Sequence, residues 1–175
     1  EALPAINGAL RRTARHCRRA PDRQPGHAAA PARTRCAIQA AEALVDALAT
    51  SIDEGAPLPL DACSACKCVL SELLWEAVDR LMQMLGGRGY LETNLAPQLL
   101  RDARVLRILE GPSEALYAHL GALVRQPGNA MVQALARFGL PEHLELLANL
   151  PAPGSGAWQD GRNGEFAAWA LLVAC

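Results

Sequence analysis

Gln83 to Leu116 reads Q-M-L-G-G-R-G-Y-L-E-T-N-L-A-P-Q-L-L-R-D-A-R-V-L-R-I-L-E-G-P-S-E-A-L. It opens on the end of an apolar helical run, which Gly86, Gly87 and Gly89 stop. A short helix is expected from Pro97 to Arg104, with Val105 to Leu109 leading into a turn at Glu110. Pro112 suits the first turn of the next helix, where its missing N–H costs nothing. That helix should run from Ser113 to about Arg125, and no part of the stretch alternates as a strand would.

Working outward, Asp61 to Leu85 forms a helix whose face is Val69, Leu73, Ala77, Leu81 and Met84. Before it, Gly55-Ala-Pro-Leu-Pro ends a long helix that starts after Pro31 and carries the stripe Ala37, Ala41, Leu44, Leu48 and Ile52. A first helix is expected from Leu3 to Arg18, with Leu3, Ile6, Leu10, Ala14 and Cys17 on one face. Four long helices with short breaks predict an all-α fold, an antiparallel four-helix bundle over residues 1–125. Residues 126–175 read as an appended helical extension of unknown role. In it, Asn129–Phe138 and Pro141–Leu150 suit two short helices, and the Gly- and Pro-rich stretch from Pro151 to Gly164 suits a loop. The apolar run Phe166 to Val173 needs a partner surface, either the bundle or a further domain.

Composition narrows the class. Hydrophobic residues make up 51% and aromatics only 4%, with Ala and Leu dominant, which favours helix. Seventeen basic residues against eighteen acidic ones argue against a dedicated nucleic-acid binder. Arginines crowd the first segment, from Arg11 to Arg35, and Lys67 is the only lysine. No apolar run reaches the ~18 residues that would span a bilayer. No secretory signal is visible, so a cytoplasmic location is expected. The chain begins at Glu1 and ends directly after an apolar run, which reads as a fragment or a processed chain.

Cys63, Cys66 and Cys68 form C-S-A-C-K-C, with C-x-x-C spacing at its start. A structural zinc site needs four ligands, and no second pair lies at matching spacing. The cluster sits in a helical pattern, so buried free thiols are expected rather than a metal site. His16, His27, His119 and His143 show no ligand or triad spacing, and Trp75, Trp158 and Trp169 read as core or interface.

Three pieces of the opening stretch, Q-x-L-G-G-x-G-Y (Gln83 to Tyr90), R-D-A-R (Arg101 to Arg104) and E-G-P-S-E (Glu110 to Glu114), carry a family resemblance. In this order and spacing they resemble the C-terminal helical domain of acyl-CoA dehydrogenases, over roughly the first 125 residues. The resemblance implies an FAD-dependent enzyme of α,β-dehydrogenation acting on an acyl thioester, held on CoA or on a carrier protein. It implies that Glu110 is the base that removes the α-proton. Gln83, Gly86, Gly87 and Gly89 match the family's flavin-contacting stretch. Gln24-Pro25-Gly26 resembles the end of the family's R-x-Q-F-G, which makes Arg23, one residue out of register, the candidate pyrophosphate contact. A homodimer or homotetramer through the bundle is also implied.

The chain departs from the family pattern at Asp22, Pro25, Arg33, Thr93 to Gln98, and Pro112. These departures suggest a divergent branch with an altered acyl or carrier pocket. The chemistry itself is demanding. A weakly acidic α-proton needs a base that is close, aimed and dry, and a carboxylate in apolar surroundings is a stronger base. Val105, Leu106, Ile108 and Leu109 precede Glu110, and Gly111 leaves room for a substrate to approach. The competing reading of Glu110 is a helix-start acid that complements the dipole of the Ser113 helix. Arg101 and Asp102 read as structural ion pairs. A non-catalytic helical interaction module derived from the same family is the alternative function.

Overall fold

A computed structural model describes residues 29–56, 60–124, 126, 129, 133 and 157–174. All its regular elements are helices: α1 (Ala29–Asp53), α2 (Leu60–Leu85), α3 (Gly87–Tyr90), α4 (Ala96–Leu106), α5 (Ser113–Val124) and α6 (Ala157–Ala174). The expected all-α class is therefore what the chain adopts. The helix over Leu3–Arg18 lies outside the described residues, as do nearly all of the two short helices expected between Asn129 and Leu150.

Local chemistry sets the helix ends. Gly55, at φ 67°, closes α1: its N–H donates to the Ile52 carbonyl at 2.9 Å, and the Ala56 N–H donates back to Ser51 at 3.0 Å. Only a residue free of a Cβ enters this left-handed position at no steric cost. Gly86, at φ 57°, ends α2 in the same way. Asn94 Oδ1 accepts the Ala96 N–H at 3.0 Å and so supplies a partner to one of the unpaired donors at the start of α4.

Four helices share one core. Leu44 and Leu48 come from α1, Ala62, Ala65 and Val69 from α2, Leu120 and Val124 from α5, and Phe166 to Leu172 from α6. Helix α2 lies in the middle and touches all five other helices. The small residues Ala62 and Ala65 are fully buried in its first half and belong to the shared core. In the second half Leu73, Ala77 and Leu81 are only half-buried, and Met84 is exposed, so the expected apolar face is used unevenly. On α1, Leu44 and Leu48 are in the core. Ile38, Val45 and Ile52, seven residues apart, form an apolar stripe that the described residues leave uncovered.

Helix α6 differs from expectation. Residues 157–164 were expected in a loop because of Gly161 and Gly164, yet they form the first turns of a helix. The glycines belong to the packing. Helices α5 and α6 cross where Gly121 meets Gly164, and a Cβ on Gly164 would stand 2.7 Å from the Gly121 nitrogen and closer still to the Tyr117 carbonyl. Seven consecutive residues, Phe166 to Leu172, are buried. A helix buried on all sides shows no polar face, so its period was invisible in the sequence. Of the two partners expected for this run, the structure shows the bundle.

No helix among the described residues is long and apolar enough to cross a membrane. The backbone contact at Gly164 yields a direct test. Gly164→Leu should lower the stability of the domain by about 3 kcal/mol or more, since overpacking against backbone has no flexible neighbour to move. Gly161→Ala, where a Cβ meets nothing within 4 Å, should be neutral or stabilising. Denaturant titration of both variants checks the pair, and equal effects would exclude the close crossing.

Candidate functional site

The turn between α4 and α5 is built from Arg107 to Ser113. The Ser113 N–H donates to the Arg107 carbonyl at 3.1 Å, and the Ser113 hydroxyl donates to the same oxygen at 3.4 Å. Within this closed turn Glu110 sits at φ 60° and Gly111 at φ 103°. Glu110 is the one non-glycine residue with positive φ among the described residues. A left-handed backbone costs a Cβ-bearing residue on the order of 1 kcal/mol, so such a residue needs support from its surroundings.

That support comes from α2 at two points. The Lys67 ammonium donates to the Gly111 carbonyl at 2.8 Å. One and a half turns along, Arg107 Nε stands 2.8 Å from Glu72 Oε2. That N–H has no aligned acceptor, so the contact is an ion pair rather than a directed hydrogen bond. Burial pushes the Glu72 carboxyl up, against the opposing pull of Arg107. The guanidiniums of Arg104 and Arg107 lie 6.0 and 5.8 Å from the Trp75 ring centre, within cation–π range. Tyr117 lies in the same region, and burial raises its hydroxyl pKa.

Glu110 opens onto a cavity of about 280 Å³ walled by Leu70, Leu74, Leu106 and Leu109, with Lys67 and Ser71 as its other polar members. The Ser71 hydroxyl is committed to the Cys68 carbonyl at 3.0 Å. Glu110 itself makes no hydrogen bond or ion pair with the described residues, and it is exposed. A carboxylate without a competing partner at the edge of an apolar cavity suits proton abstraction from a carbon acid, because its lone pairs are not already occupied.

The other candidate residues divide. Gln83, Gly86 and Gly87 are exposed around the turn that follows α2, beside the exposed Tyr90 and Leu91. Gly89 is buried there, and a Cβ on it would stand 2.7 Å from the Met82 carbonyl, so its lack of a side chain serves packing. Arg23 lies outside the described residues. Arg101 forms a two-point ion pair with Glu92, at 3.0 and 3.3 Å, which ties the glycine turn to α4. Asp102 makes no ion pair among the described residues, so only half of that expectation is met. Sequence reasoning missed Lys67, Glu72, Trp75, Arg104 and Arg107 as parts of the site. Lys67 alone carried a signal, as the single lysine in an arginine-rich chain.

A family model described as "Acyl-CoA dehydrogenase, C-terminal domain" matches residues 1–124. The chain belongs to this family. It is similar to the mitochondrial very long-chain specific acyl-CoA dehydrogenase of Rattus norvegicus, with 30% identity over 118 residues, covering 58% of this chain and 18% of that protein. It is also similar to the short-chain specific acyl-CoA dehydrogenase of Megasphaera elsdenii, 37% identical over 89 residues, with coverage of 50% and 23%. Similarity to the mitochondrial isobutyryl-CoA dehydrogenase of Bos taurus is 31% over 79 residues, with coverage of 45% and 19%. The chain therefore spans about a fifth of the length of these curated relatives. No solved structure matches it.

In this acyl-CoA dehydrogenase C-terminal domain the cysteine cluster lies on α2, with Cys66 and Cys68 on either side of Lys67. Cys63, Cys66 and Cys68 are free thiols, and no metal-binding group of three His, Cys, Asp or Glu residues occurs among the described residues. Cys36, by contrast, is disulfide-bonded. Burial raises the Cys66 thiol, with a smaller push from Cys63. Burial pushes Cys68 from 9.0 up to about 11, against the Lys67 charge and a hydrogen bond with Ser113.

At pH 8 only about one Cys68 in a thousand is then the reactive thiolate. Native labelling with iodoacetamide should modify the exposed Cys63 first, Cys66 more slowly and Cys68 last, as peptide mass spectrometry would record. The folded pKa of Cys68 lies above the unfolded one. Its stabilising contribution is therefore complete below about pH 9 and is lost as pH rises through about 11. Labelling of Cys68 as fast as Cys63 would contradict the packing of α2 described above.

Proposed function

We propose that this domain belongs to a flavin-dependent dehydrogenase that removes an α-proton and a β-hydride from an acyl thioester, with Glu110 as the base. The observation that carries the reading is the free carboxylate of Glu110, held in a left-handed turn against a leucine-walled cavity. A helix-start acid complementing the α5 dipole would need neither that backbone conformation nor that cavity. The same observation favours an enzyme over a non-catalytic interaction module.

The thioester would lie along Leu70, Leu74, Leu106 and Leu109 with its α-carbon facing Glu110. When bound, FAD would supply the acceptor for the hydride. The exposed turn at Gln83, Gly86 and Gly87 fits such a group, since a Cβ built on either glycine meets nothing within 4 Å and the backbone is open to approach. Arg23 is the candidate for its pyrophosphate. Gly89, being committed to packing, supports the turn from beneath. The exposed stripe Ile38, Val45 and Ile52 supports assembly of the parent enzyme as a homodimer or homotetramer through the bundle. Acyl-CoA is the substrate class the relatives' names suggest, and an acyl group on a carrier protein is the variant that the altered Thr93 to Gln98 segment leaves open.

Glu110→Gln in the complete flavoprotein should bind FAD normally yet reduce it at least ~100-fold more slowly, the range expected for loss of a general base. Anaerobic absorbance with butyryl-CoA and palmitoyl-CoA measures both properties. Normal flavin reduction by the variant would remove Glu110 from the chemistry.

A further inference from the structure

We propose that Lys67 is a positioning residue for Glu110, an inference that rests on Glu110 being the base. Lys67 lies forty-three positions before Glu110, on a helix turn of α2 rather than on a loop, and it is half-buried. Its ammonium meets the carbonyl of Gly111, the residue after the base, at 2.8 Å. Two consecutive left-handed residues, Glu110 and Gly111, form the least self-supporting part of the turn. A glycine peptide rotates easily between alternatives, so its carbonyl needs an outside partner to hold one orientation. Lys67 supplies that partner from a rigid element, which is how a reacting group is kept in place to a fraction of an ångström.

The choice of atom matters as much as the contact. Lys67 lines the same cavity as Glu110, yet no ion pair joins them among the described residues. An ammonium bonded to the carboxylate would occupy the lone pairs that must accept the α-proton. Bonded to the neighbouring carbonyl, it fixes the backbone and leaves the carboxylate free. The residue type fits this task. A lysine presents a compact charge that serves one carbonyl, whereas the planar fork of an arginine suits two-point partners such as the Glu92 carboxylate at Arg101. The chain uses arginine at every other basic position.

The test compares Lys67→Met, Lys67→Arg and Glu110→Gln in the complete flavoprotein, using whichever of butyryl-CoA and palmitoyl-CoA reduces the parent. Stopped-flow bleaching under anaerobic conditions gives the maximal reduction rate and the apparent dissociation constant separately. Lys67→Met should lower the maximal rate at least ~10-fold while the dissociation constant, flavin content and melting temperature stay near the parent values. Lys67→Arg, which keeps a charge and a donor, should remain within about fivefold of the parent. Parent-like reduction by Lys67→Met beside a dead Glu110→Gln would overturn the positioning role and leave the base intact. Loss that merely tracks lost flavin or lost melting temperature would overturn it too. Parent-like reduction by Glu110→Gln would instead bring down the proposed function on which it rests; should neither acyl-CoA reduce the parent, the comparison is run with a butyryl group on an acyl carrier protein, and a parent that none of the three reduces would bring that function down as well. Should Lys67→Met not accumulate folded, Lys67→Ala, which also removes the donor to the Gly111 carbonyl, carries the same comparison.

Discussion

Everything in this domain is hung on helix α2. It contacts all five other helices, and its two ends do different work. The first half buries Ala62 and Ala65 in the core that α6 completes. Along its length it also presents Lys67, Glu72 and Trp75 to the segment that joins α4 to α5. The same helix thus sets both the packing of the bundle and the orientation of the turn that carries Glu110.

Helices α1, α2, α4 and α5 were legible from sequence to within a few residues, because their ends are written in local chemistry. Gly55 and Gly86 close α1 and α2, and Asn94 and Pro112 stand just ahead of α4 and α5. What local chemistry could not convey was long-range. The glycines of α6 looked like a loop because glycine disfavours helix by about 1 kcal/mol relative to alanine. Here Gly164 instead meets Gly121 on α5, and close backbone approach outweighs propensity. Likewise the large residues of α2 that marked its apolar face, Leu73, Leu81 and Met84, are less buried than Ala62 and Ala65. Periodicity shows that a face is apolar but not which stretch of it meets a partner.

The site divides along the same line. The E-G-P-S-E motif marked Glu110, and the glycine turn was visible as spacing. The residues that hold them were not: Lys67 and Glu72 reach across more than thirty positions to Gly111 and Arg107. A lysine in a helical pattern ordinarily reads as a solvated side chain. Its partner is a backbone carbonyl, which leaves no trace in the residue types of either segment. Arg104 and Arg107 were hidden for a related reason, since both converge on Trp75, whose role as a shared platform depends on how α4 lies against α2.

The described residues form one wall of a site. Leu74, Leu106 and Leu109 are 42%, 42% and 52% exposed, and the carboxylate they flank faces solvent. Apolar side chains of that size gain on the order of 1 kcal/mol or more when fully covered, so the wall favours a partner surface. A base acting on a carbon acid also needs water kept away from it. Both requirements are met by the same event, the covering of these leucines. Under the proposed function the covering surface comes from the bound thioester and from parts of the enzyme beyond this domain. What α2 then contributes is a Glu110 already oriented before the site closes, so that the energy of closure goes into excluding water rather than into rebuilding the turn.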